Sequence, residues 1–74
     1  MKPRKILITR FEDDHATMQW CETCTKSFKA VASEYWYTLS KIYNIKPVIK
    51  YIDNRIMLIL PKGRPTIVFE EHLL

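Results

Sequence analysis

Apolar and polar positions alternate along the 74-residue chain in a way that predicts one dominant helix among short strands. Lys5 to Phe11 (KILITRF) is rich in β-branched and aromatic residues and is closed by Glu12, Asp13 and Asp14, which predicts a first strand. Asp13 or Asp14 can then cap a helix. From there to Tyr43 the chain has no glycine or proline, and Cys21, Cys24, Phe28, Val31, Tyr35, Leu39 and Ile42 recur at spacings of three and four. That period places them on one helical stripe, with Lys26, Lys29, Ser33, Ser40 and Lys41 mostly on the other side. Glu22, four residues ahead of Lys26, suits an exposed ion pair on such a helix.

Asn44 and Pro47 end the helix. PVIKYI (47–52) reads as the next strand, and Asp53 and Asn54 tolerate a tight turn. IMLIL (56–60) is continuously apolar and fits either a buried strand or a short buried helix. PKGRP (61–65) is a loop and TIVFE (66–70) the last strand. The expected architecture is α/β: one long helix packed on a small three- or four-stranded sheet, in the order strand, helix, strand, strand or short helix, strand. All of it belongs to a single domain, residues 1–74.

A helix of about thirty residues would be roughly 45 Å long, more than twice the reach of a six-residue strand. One end must therefore break or project. A break near Trp20 would leave residues 12–19 in a loop and put Cys21 at a helix start, whereas the lack of any breaker residue favours an unbroken helix. A second consequence concerns residues 56–60. As a strand this segment is apolar on both faces, and one helix covers only one face of a sheet. A homodimer or a protein target is then expected on the other, or, as the alternative, a shortened second helix.

Composition narrows the function classes. With 47% apolar residues and a single glycine, the chain is unlike a disordered segment, and Gly63 alone cannot build a glycine-rich phosphate loop. Chains this short bury only about 60% of their unfolded surface, so help from a partner is in keeping with the length. The charge of +4 comes from 12 basic and 8 acidic residues, the basic ones spread from Lys2 to Arg64, which gives nucleic acid weak support as a partner. No stretch approaches the roughly 20 apolar residues that span a bilayer, and the run Ile6 to Ile8 is too short for a signal-peptide core. The expectation is a soluble, cytoplasmic protein with no membrane partner and its two thiols reduced.

Candidate chemistry centres on Cys21 and Cys24, which have three readings. On a continuous helix they are two apolar side chains of a buried stripe. At a helix start, Cys21 would see unpaired N–H groups and the positive end of the dipole, which favour the thiolate, while Cys24 one turn further on would resolve a mixed disulfide. With His15 and His72 they make up four zinc-type ligands, but without the second close pair typical of zinc modules. Trp36 and Tyr37 lie off the stripe that holds Tyr35 and Leu39, so they are expected to face solvent or another chain. The whole aromatic cluster EYWYTLSKIY (34–43) could stack on bases or anchor a partner, with Lys41, Lys46 and Lys50 nearby to meet phosphates.

WCETC (20–24) resembles the Trp-Cys-x-x-Cys motif of the thioredoxin superfamily, and RPTIVF (64–69) resembles its proline, threonine and following strand, in the same order. The resemblance implies that Cys21 attacks, Cys24 resolves and Pro65 is a cis-proline shaping the substrate site, with Trp20 and Thr66 beside it. The carboxylate of Glu22 next to Cys21 should oppose thiolate formation and point away from a strongly oxidising pair. The leading expectation is a minimal thioredoxin-like thiol/disulfide oxidoreductase without cofactor or metal, acting on a protein disulfide. The alternative is a non-catalytic, small basic interaction module, such as a virus-like or accessory protein, that binds a protein or nucleic acid, with homodimerisation a further expectation.

Overall fold

The computed structural model of the chain describes residues 3–61 and 64–73. Its elements are β1 (Arg4–Glu12), β2 (His15–Cys24), α1 (Phe28–Tyr43), β3 (Val48–Ile52), β4 (Arg55–Ile59) and β5 (Thr66–Leu73). The strands form one sheet in the order β2-β1-β5-β4-β3, and every neighbouring pair is antiparallel.

This corrects the expected architecture. Residues 15–24 are neither helix nor loop but a ten-residue strand, so the order is strand, strand, helix, strand, strand, strand. The cause lies in Asp13 and Asp14. Both take left-handed conformations, φ 50° and 65°, and form a two-residue turn in place of a helix cap. Aspartate tolerates this region because its short side chain bonds locally, and such a turn matches the twist of the flanking strands. β2 then pairs along the length of β1, from Glu12 opposite His15 to Arg4 opposite Cys24. The register slips between Arg10 and Phe11, leaving Thr17 as the extra residue of a bulge.

The helix instead begins at Ser27, whose hydroxyl accepts from the Ala30 N–H at 3.1 Å. It ends, as expected, at Asn44, which sits in the left-handed region at φ 54°. Sixteen residues span about 24 Å, which removes the length conflict. The ambiguous apolar segment is strand β4, joined to β3 by a two-residue turn at Asp53 and Asn54. The last strand runs on to Leu73, three residues past the expected end, while Lys62 and Gly63 of the expected loop lie outside the described residues.

Alternation along the three central strands defines the core. Ile6 and Ile8 of β1, Ile67 and Phe69 of β5, and Ile56 and Leu58 of β4 all face α1 and are buried with Val31 and Ala32 of the helix. Phe28, Tyr35, Trp36 and Leu39 of the helix and Trp20 and Cys24 of β2 close the rim. The expected stripe therefore holds from Phe28 to Leu39 only, and Ile42 is exposed. Phe69 is wholly buried and meets the Tyr35 ring edge-on, with centroids 5.1 Å apart. The helix covers one face of the sheet. On the other lie Leu7, Thr9 and Phe11 of β1, Thr66, Val68 and Glu70 of β5, and Met57 and Ile59 of β4.

Candidate interaction surface

The structure does not bring the proposed redox residues together. On a strand, side chains three apart point to opposite faces. Cys21 lies opposite Leu7 on the bare face, whereas Cys24 packs on the helix side, its thiol 3.9 Å from the Lys26 carbonyl. Both are free thiols and neither stands at a helix start. Pro65 is buried just ahead of β5, and no peptide bond among the described residues is cis. Thr66 lies opposite Phe11, four residues along β1 from the partner of Cys21, which separates the two by about 16 Å at ordinary strand spacings. His15 and Cys24 stand at opposite ends of β2, and among the described residues no three His, Cys, Asp or Glu side chains are grouped to hold a metal ion.

Trp20 and Trp36 have structural partners. Trp20 Nε1 donates to Glu22 Oε2 at 3.2 Å, and the Tyr35 hydroxyl donates to the same carboxylate oxygen, tying β2 to the helix. Burial, and then the bond to Glu22, push the Tyr35 phenol up to about 12. Glu22 therefore faces α1, and Lys26 pairs with Glu34 at 2.7 Å instead. Trp36 is half-buried, and its Nε1 donates to the Pro47 carbonyl at 2.8 Å. Tyr37 stays exposed, with Lys41 Nζ 4.9 Å from its ring centroid.

Two bare regions remain. The first is the uncovered sheet face, which forms a concavity of about 830 Å³. Its cross-strand rows alternate in character. Phe11, Thr66, Ile59 and Val48 make one row, while Thr9, Val68, Met57 and Lys50 make the next. Thr9 is buried here and accepts from Gln19 Nε2 at 3.0 Å, and Arg55 pairs with Glu70 at 2.8 Å. That pair is the first cause of the low pKa of Glu70.

The second region is β3, the edge strand beyond β4. All five of its residues are exposed, and four of them are large and apolar: Val48 at 57%, Ile49 at 38%, Tyr51 at 62% and Ile52 at 49%. The Trp36–Pro47 bond joins this edge to the shallow hollow formed by Trp36, Tyr37, Lys41, Ile45 and Lys46. PVIKYI was legible as a strand, but its place at the sheet edge was not. A strand with apolar residues at nearly every position is usually read as central, and here they are exposed on both faces.

Among the described residues, no helix is long and apolar enough to cross a membrane. Comparison with protein-family models, with curated proteins and with solved structures finds no match to this chain.

Proposed function

We propose that the chain is a non-catalytic interaction module that binds another protein through the surface its single helix leaves bare. One observation carries this reading: four of the five side chains of the edge strand β3 are large, apolar and exposed, in a sheet covered on one face only. So many exposed apolar side chains on one edge strand mark an interaction site. A protein partner is favoured over nucleic acid because β3 is mainly apolar and Arg55 on the adjoining face is neutralised by Glu70.

The thiols supply no part of this function, because strand geometry holds their side chains on opposite faces of the sheet. The variant with Cys21→Ala and Cys24→Ala should keep the wild-type circular dichroism spectrum, with a thermal midpoint only slightly lowered by the loss of the half-buried Cys24 thiol. The wild-type protein should reduce insulin no faster than the buffer thiol alone. Insulin reduction that disappears in Cys21→Ser would overturn the reading.

A further inference from the structure

The exposed edge of β3 has a definite hydrogen-bonding register. In a hairpin with a two-residue loop, the residues flanking the loop exchange both main-chain hydrogen bonds, and such pairs then alternate along the ladder. Here Ile52 and Arg55 flank the turn, followed by Lys50 opposite Met57 and Val48 opposite Ile59. The main-chain groups of these three β3 residues are therefore directed to β4. Those of Ile49 and Tyr51 are directed outward, two N–H donors and two C=O acceptors on the free edge. The edge is bounded at both ends. Pro47 has no N–H and its carbonyl is taken by Trp36, while Asp53 turns the chain away at φ 51°.

Natural edges of this kind are usually blunted by a bulge, a proline or several charges. β3 carries only Lys50. Charge also selects what can dock. Lys46 precedes β3, Lys50 stands at its centre, and Lys29 Nζ lies 5.7 Å from the Tyr51 ring centroid. None of these three lysines makes an ion pair among the described residues, and β3 itself has no acidic residue. A second copy is a poor occupant. Placing Ile49 opposite Tyr51 of another β3 sets Lys50 against Lys50, and like charges directly opposite are destabilising.

We propose that β3 accepts an extended segment of another protein as a sixth strand, apolar opposite Ile49 and Tyr51 and acidic opposite Lys50. This deepens the interaction-module reading and rests on it. Main-chain bonds to Ile49 and Tyr51 hold the segment, Ile49 and Tyr51 pack its flanking side chains on the helix side, and Lys50 selects its charge on the other.

Three blocked peptides test this against ¹⁵N-labelled protein by NMR titration: Ser-Ile-Val-Glu-Val-Ile-Ser, the same with Lys for Glu, and the Glu peptide with both valine amides N-methylated. The Glu peptide should shift the Ile49 and Tyr51 amides and slow their exchange. It should bind roughly threefold to fivefold tighter than the Lys peptide at low salt. Lys50→Glu should reverse that preference, and the N-methylated peptide should not bind. Equal binding of the N-methylated peptide, or no saturable shift at millimolar peptide, overturns strand addition. Shifts confined to Leu7, Met57 and Val68 also overturn it but leave the module reading intact, with the open face as its site. Protection of Ile49 and Tyr51 that rises with protein concentration, without peptide, makes a second copy the occupant and overturns the proposal. If no surface responds and the protein reduces insulin through Cys21, the module reading fails as well.

Discussion

β2 and β3 are the two edges of one sheet, and a single cross-strand row runs between them: Trp20, Ile8, Phe69, Ile56 and Tyr51. An aromatic residue ends the row on each side. Trp20 is half-buried, leans on Tyr35 at a centroid distance of 6.4 Å and donates to Glu22. Tyr51 is 62% exposed, with the Lys29 ammonium over its ring. The β2 edge is also broken by the bulge at Thr17, whose hydroxyl donates to the Arg10 carbonyl at 3.3 Å, whereas β3 is regular. A bulge and side-chain ties spoil an edge for pairing, and an unbroken apolar strand leaves it open. Equivalent positions are thus held differently: Trp20 is packed and tied to the helix, and Tyr51 is left exposed.

The sharpest way to break this contrast is to give both row ends the same side chain. Trp20→Thr keeps a β-forming residue but removes the ring that packs on Tyr35 and the donor to Glu22. The expected loss is about 2 kcal/mol, below the roughly 3 to 5 kcal/mol for fully buried tryptophan or phenylalanine because Trp20 is only half-buried. Urea unfolding followed by circular dichroism measures it. A loss below about 0.5 kcal/mol would mean that β2 is no better anchored than β3.

A smaller effect isolates the tie between β2 and the helix. Tyr35→Phe keeps the ring against Phe69 and removes the hydroxyl that donates to Glu22, at a cost of about 1 kcal/mol. The same group gives the edge a pH signature. A tyrosine in the unfolded chain titrates near about 10, while burial and Glu22 push the folded phenol up to about 12. The folded state thus holds the phenolic proton more tightly. Its contribution is fully present below about pH 10 and is lost as the pH rises through about 12. Stability measured against pH should fall more steeply across that window in the wild type than in Tyr35→Phe. Parallel curves would show that the phenol is not held by the β2 tie.

The sequence was most legible where one local signal had one meaning. Asn44 stopped the helix, Asp53 and Asn54 turned the chain, and the stripe from Phe28 to Leu39 faced the sheet. Reading failed at residues 13–24, where two signals carried two meanings. An aspartate pair serves equally as a helix cap or as a left-handed turn, and Cys21 and Cys24 fit a helical stripe that continues from Phe28. The strand's own period was present as Trp20, Glu22 and Cys24 on one side and Gln19, Cys21 and Thr23 on the other. That alternation lacks an apolar face, because β2 faces the helix with a hydrogen-bonded carboxylate. Tertiary pairing with β1 decided the outcome. The candidate surface was only half legible: residues 56–60 read as apolar on both faces implied an uncovered side, and Met57 and Ile59 do face it. The order of strands, which sets β3 at the edge, has no local signature.

The weakest perturbation of stability is the most informative about the surface. Tyr51→Thr removes an exposed ring that carries the Lys29 ammonium over its face, and leaves the β3–β4 ladder in place because Tyr51 directs its main-chain groups outward. An exposed cation–π contact contributes on the order of 0.5 kcal/mol, and threonine matches tyrosine in strand preference. Unfolding free energy should therefore stay within about 0.5 kcal/mol of the wild type, against the much larger loss for the same substitution at Trp20. Binding of the Glu peptide should nonetheless weaken, because the ring is half of the apolar pair that packs its flanking side chains. A Tyr51→Thr loss as large as that of Trp20→Thr would show that the β3 edge is part of the folding core and not reserved for a partner. Unchanged stability with weakened binding separates the two edges on the same protein.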